Sequence, residues 1–142
     1  MRQLSLFKGK RQRGVQPPPA LELRTQIALA DTLRVSLSPG WNWTHIGHGG
    51  KRSIQTAAMM KRSGQQAGWS DFILLSPCSL AHFVELKRKG GAVSPAQQAF
   101  ADYCNAYGYP HAIVYSFDDA IAVLKHWRVV RISMTGGSDA RR

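Results

Sequence analysis

Gly68-Trp69-Ser70-Asp71-Phe72-Ile73-Leu74-Leu75 and, after a short loop, His82-Phe83-Val84-Glu85-Leu86-Lys87 are the stretches that decide how this chain folds. Both hold apolar, β-branched or aromatic runs of strand length. Few residues join them, and Pro77 falls in the join. The spacing predicts strands at Phe72–Leu75 and Phe83–Leu86, paired antiparallel in the middle of a sheet. Each strand also ends on an acid: Asp71 precedes Phe72, and Glu85 stands two positions before Lys87. The chain has only eight Asp and Glu among 142 residues, so two at the ends of apolar runs require a reason. An acid withdrawn from water is costly unless it meets a cation or a partner.

Working outward, Leu23, Ile27, Ala30 and Leu33 recur at helical spacing and predict a helix from Ala20 to Val35 with those residues inward. Glu22, Gln26 and Leu29 lie on an adjacent stripe. Pro39-Gly40 breaks the chain. Trp41–Ile46 reads as a strand, followed by a glycine-rich turn with Lys51 and Arg52 at its tip. Ser53 is the expected N-cap of a helix from Ile54 to about Arg62, closed by Gly64. Ser94-Pro95 opens a helix that runs to about Tyr107 and stops at Gly108. Ala112–Tyr115 is a buried strand. A last helix starts at Ser116–Asp119 with Ala120, Val123, Leu124 and Trp127 inward. The order αβαββαβα implies an α/β domain around a mixed sheet.

One folded domain is expected over residues 20–132. Residues 1–19 contain Lys8, Lys10, Arg11 and Arg13, no acid, and end in Pro17-Pro18-Pro19. They read as a flexible basic arm, either a solvated tail or a grip on phosphates. Residues 133–142 read as a disordered tail. No apolar run is long enough to span a membrane and no signal sequence opens the chain, so a cytoplasmic protein, bacterial or phage-encoded, is expected. Cys78 and Cys104 form no CxxC pair and read as buried free thiols. His45 and His48 lack companions for a zinc site and read as strand and loop residues. The net charge of +11 favours a polyanionic partner such as nucleic acid.

Cutting a phosphodiester requires neutralising an anionic transition state and activating water near neutral pH. Mg²⁺ or Mn²⁺ on hard oxygen ligands does both. Acids on neighbouring strands lie close enough to share such an ion, and they repel each other without it. The Leu86 backbone carbonyl can add an oxygen. Lys87 shares a strand face with Glu85 and can orient water or stabilise the phosphorus centre. The plainer alternative is a structural salt bridge among Asp71, Glu85 and Lys87.

Gly68-Trp69-Ser70-Asp71, Val84-Glu85-Leu86-Lys87 and Ser94-Pro95-Ala96-Gln97 together resemble the VRR-type (virus-type replication-repair) nuclease domain of the PD-(D/E)xK superfamily. The resemblance spans roughly residues 20–128 and includes the turn Thr44-His45-Ile46-Gly47-His48-Gly49-Gly50-Lys51-Arg52. It implies a restriction-endonuclease-like fold. It also implies a Mg²⁺-dependent endodeoxyribonuclease with Glu22, Asp71, Glu85, Lys87 and Gln97 as catalytic residues, and with Asp71, Glu85, the Leu86 carbonyl and Glu22 around the metal. Gln97 would bind the scissile phosphate or the attacking water. Two departures stand out: Ser70 replaces the usual proline, and Gly47-His48 replaces a Pro-Asn turn.

Small stand-alone members of the family resemble structure-specific nucleases and resolvases of branched DNA such as Holliday junctions, which implies a role in DNA repair. A homodimer would make paired cuts. Lys51 and Arg52 are expected to contact phosphates. Lys61, Arg88 and Lys89 read equally as an extension of that track or as solvated residues. Trp41, Trp43, Trp69 and Trp127 are expected in or beside the core, with base stacking open to Trp69. Two other functions remain open on sequence grounds: a non-catalytic basic nucleic-acid-binding module and a sequence-specific restriction-type endonuclease.

Overall fold

The computed structural model describes residues 21–47 and 53–131. The elements run α1 (Leu21–Ser36), β1 (Asn42–His45), α2 (Ile54–Arg62), β2 (Phe72–Leu75), β3 (Ala81–Leu86), α3 (Pro95–Tyr107), β4 (His111–Val114) and α4 (Phe117–His126). The order αβαββαβα expected from the sequence is the one observed. The predicted basic N-terminal arm, the predicted C-terminal tail and the turn residues His48, Lys51 and Arg52 lie outside the described residues.

The four strands form one sheet in the order β1-β2-β3-β4. β1 with β2 and β2 with β3 are antiparallel, while β3 with β4 is parallel. A parallel neighbour needs a crossover, and α3 supplies it. Its start is set by Ser94, whose hydroxyl accepts from the Gln97 amide, with Pro95 in the first turn. Its end is set by Gly108 in the left-handed region, where glycine avoids a steric penalty. Ser53 and Ser116 cap α2 and α4 in the same manner as Ser94 caps α3.

Strand alternation divides the sheet into two faces. Phe72, Leu74, Val84, Leu86 and Val114 point to one side, where they form the core with Leu29 and Leu33 of α1 and Ala120 and Leu124 of α4. His82 lies on that side too, edge-on between Trp41 and Trp127, and burial pushes its pKa down. The opposite face carries Ile73, Phe83 and Glu85 and is partly covered by α3, which packs along β4.

The inward stripe of α1 differs from its sequence expectation. Leu29 and Leu33 are fully buried, whereas Leu23 and Ile27 are 42% and 48% exposed. The core is concentrated under the C-terminal half of the helix, so the first turns extend beyond it. Cys104 is buried as expected. Cys78 is exposed, a correction that follows from its place in the β2–β3 loop, which lies on the surface. Both cysteines are free thiols. Among the described residues no helix is long and apolar enough to cross a membrane.

Gly68 holds the entrance to β2 against the start of α3. Its φ is +91°, and a Cβ there would collide with the Ala96 carbonyl oxygen. Gly64 has a similar φ of +98° but open space around it. Gly68→Ala should therefore lose more than about 1 kcal/mol of stability, and clearly more than Gly64→Ala. Urea unfolding of the two variants against wild type measures the difference.

Candidate active site

Continuing the β2–β3 register, in which Phe72 faces Val84, places Asp71 opposite Glu85. Side chains so opposed on antiparallel strands have Cβ atoms roughly 5 Å apart. Asp71 sits just ahead of β2, half-buried, and its Oδ2 accepts a 2.7 Å hydrogen bond from the Leu86 backbone amide. That bond ties its carboxylate to β3. The Asp71 carbonyl in turn accepts from the Ile46 amide at 2.7 Å, fixing the same residue to the segment after β1.

Glu85 is only 3% exposed. Its Oε1 lies 3.3 Å from the Lys87 Nζ and also accepts a hydrogen bond from the Gln97 Nε2. Despite these partners its pKa is raised from 4.5 to about 7, first by burial and second by the Asp71 charge, with Lys87 and the Asp71 backbone amide pulling it back. Neither Lys87 nor Gln97 thus offsets the combined effect of desolvation and a facing carboxylate.

Gln97 has its orientation set by the helix cap. The Ser94 amide donates to its Oε1 at 3.0 Å, and its own amide donates to the Ser94 hydroxyl at 3.2 Å. This is a reciprocal capping box. With the carbonyl end of the side chain occupied, only the NH₂ end can turn to Glu85. One N–H of that group has no partner among the described residues.

The acids open onto a cleft of about 810 Å³, walled by Lys61, Gln65, Gln66, Trp69, Ser94 and Gln97 among others. The structure thus brings Asp71, Glu85, Lys87 and Gln97 together and sets Lys61 on the cleft wall. Arg88 and Lys89 are exposed beyond β3 and do not line it. Glu22 is exposed in the first turn of α1 and makes no hydrogen bond or ion pair with the acids. His45 packs edge-on against Phe72.

Sequence reasoning missed four contributors. Gln65 and Gln66 reach the cleft only because the chain turns back after α2. Leu86 contributes its amide, which no sequence pattern reveals. His111 lies under the strand entrance, where its Nε2 is 3.1 Å from the Oγ of fully buried Ser70. Burial lowers the His111 pKa. A proline at position 70 would offer no such hydroxyl, so the departure at Ser70 comes with its own polar partner.

The model of the VRR-NUC domain matches residues 22–118. The chain belongs to the VRR-NUC domain family. Two solved structures share its fold. One described as a VRR_NUC domain is 17% identical with a TM-score of 0.55, covering 77% of this chain and 99% of its own. Another, described as a VRR_NUC domain protein, is 20% identical with a TM-score of 0.60, covering 75% of this chain and 86% of its own. No curated protein matches the chain. The VRR-NUC fold here is an α/β, restriction-endonuclease-like one, and its family is one of nucleases.

The donor set of this VRR-NUC domain fits a hard divalent cation. Two carboxylates face each other, and the charge of Asp71 raises the proton affinity of Glu85. No group of three or more His, Cys, Asp or Glu residues is gathered for a metal among the described residues. The remaining ligand positions would therefore fall to peptide oxygens and water, as hard cations accept.

A raised carboxyl pKa means that folding favours the protonated form. In metal-free protein, ionised Glu85 should then destabilise the fold, with no penalty below pH 4.5 and a full penalty above about pH 7. Glu85→Gln should remove that penalty, leaving the variant more stable than wild type by on the order of 3 kcal/mol at alkaline pH and equal to it in acid. Thermal unfolding of both proteins in EDTA across this range tests the sign.

Proposed function

We propose that this domain is a metal-dependent DNA endonuclease that hydrolyses phosphodiester bonds, with branched DNA such as a Holliday junction as its preferred substrate. The observation that carries the reading is the opposition of Asp71 and Glu85, with Lys87 Nζ 3.3 Å from Glu85, at the edge of an open cleft. A passive nucleic-acid binder has no need of two facing acids, which would repel a phosphate.

Mg²⁺ or Mn²⁺ is the cofactor of this reading, and when bound it supplies charge neutralisation at the phosphate and water of lowered pKa. Asp71 and Glu85 would hold it with the Leu86 carbonyl, and Glu22 through water. Asp71 enters with one carboxylate oxygen already fixed by the Leu86 amide, so its other oxygen is the one available. Lys87 orients the attacking water and offsets negative charge as phosphorus becomes pentavalent. Gln97 keeps Glu85 in place and has an N–H left for a phosphate oxygen or for the water. Lys61 on the cleft wall contacts a flanking phosphate. Arg88 and Lys89, exposed beyond β3, extend that contact along the backbone, and Lys51 and Arg52 remain expected phosphate contacts on sequence grounds.

A chain with a net charge of +11 has strong means of gripping phosphates, and one α/β domain of this size has little means of reading a long sequence. Backbone geometry and DNA shape are therefore what it distinguishes. Paired cuts across a junction would take two copies of the chain.

Four-way junction, flap, single-stranded and linear duplex DNA, each with Mg²⁺, Mn²⁺ or EDTA, test the reading. A branched substrate should be cut fastest, and EDTA should stop cleavage. Asp71→Asn and Lys87→Ala should each slow cutting at least about a hundredfold while DNA binding persists. Wild-type rates in both variants would remove these residues from the chemistry, and one preferred duplex sequence would favour a restriction-type enzyme instead.

A further inference from the structure

The sheet face that carries the acids continues past them into an aromatic trough. Phe83 stands two residues before Glu85 on the same face of β3, and Ile73 stands two residues after Asp71 on β2, opposite Phe83. One such step is roughly 7 Å along a strand, a distance that one nucleotide spans. There Trp69, Ile73, Phe83, Phe100, Tyr103 and Tyr109 line a depression of about 300 Å³. Trp69 walls both this trough and the acid cleft, so the two adjoin.

We propose that the trough is a receptor for one unpaired nucleobase of the DNA whose neighbouring phosphate lies at Asp71 and Glu85. The proposal rests on the nuclease reading and adds to it the feature of the substrate that the domain selects.

Three observations favour a base over other occupants. Two of the rings stand open to solvent, Trp69 at 37% and Tyr103 at 51% exposed, above a floor formed by buried Phe83. Aromatic faces accept any base by stacking. The lining contains no charged residue, which suits the neutral part of a nucleotide, while Lys61 and the metal-fitting acids sit in the adjoining cleft where the charged part would go. The hydroxyls of Tyr103 and Tyr109 have no hydrogen-bond partner among the described residues and face no competing acid in the lining. They are therefore available to the polar edge of a base.

The packing keeps this surface in shape. Trp69 rests against Phe100, with ring centroids 4.8 Å apart, and against Phe83 at 6.0 Å. Tyr103 lies nearly parallel to Phe100 and to Tyr109, at 16° and 13°. The platform thus exists before DNA arrives. A base inside a duplex is already stacked on both sides and cannot present its face. The trough would therefore prefer DNA with an unpaired nucleotide beside the cut, and it would do so without reading sequence.

The test uses the full chain in EDTA, so that binding is read apart from cleavage. Two labelled duplexes are compared by fluorescence anisotropy at one salt concentration. One carries a short single-stranded thymidine tail. The other carries an abasic tail of the same length and charge, in both strand polarities. Wild type should bind the thymidine tail about tenfold more tightly in one polarity. Tyr103→Ala and Trp69→Leu should bind both tails as wild type binds the abasic one, and Trp69→Phe, which keeps a ring, should retain most of the preference.

Equal binding of both tails by wild type would overturn the proposal. So would a preference that survives in Tyr103→Ala, an exposed position where folding is not at risk. If Tyr103→Ala instead converts a dimer to a monomer in sedimentation while leaving the tail preference intact, the trough is a self-association face and the base receptor falls. Cleavage by wild type in Mg²⁺ is scored separately. A trough-dependent preference without any cutting would leave the receptor standing and sink the nuclease reading, and the reverse result would do the opposite.

Discussion

The pairing of β2 with β3 is the constraint from which the rest follows. Its register sets Asp71 against Glu85 and, in the same stroke, sends Phe72, Leu74, Val84 and Leu86 to the core. The two outcomes are inseparable, because side chains alternate along a strand. A slip of one residue would carry the acids into the core and the apolar residues into the cleft. The core under α1 and α4 is thus what keeps the site in register, and Leu86 belongs to both, with its side chain in the core and its amide on Asp71.

The site itself is held against its own electrostatics. A nearly buried glutamate faces an aspartate, and the protein tolerates this through a lysine two residues on and a glutamine from another element. Neither partner brings the proton affinity of Glu85 back to that of an exposed carboxyl. The residual imbalance is of the kind that a divalent cation relieves. A group built only for stability would more readily have been replaced by an apolar pair.

Much of this was legible in the sequence because it rests on local rules. Strand alternation, serine caps and glycine stops located the elements, with α2 and β2 matching their expected limits. The acid pair was legible because acidic residues are rare on this chain and interrupt apolar runs. What could not be read depends on long-range placement. The inward stripe of α1 is set by where the sheet ends, not by periodicity, so Leu23 and Ile27 looked buried and are not. Ser70 and His111 meet across 41 positions. Glu22, expected among the acids from the resemblance, stays at the surface with no bond to them. Cys78 was expected inside on residue type alone, and its loop decided otherwise.

The capping box of α3 has a consequence that reaches beyond helix geometry. One side chain, Gln97, both closes the first turn of the helix and grips Glu85. Fraying of that turn and release of the glutamate are therefore a single event. Amide exchange at the beginning of α3 becomes a reporter on the acid pair: whatever loads or neutralises Glu85 should be felt as a change in how often the helix opens, well away from any bond being broken.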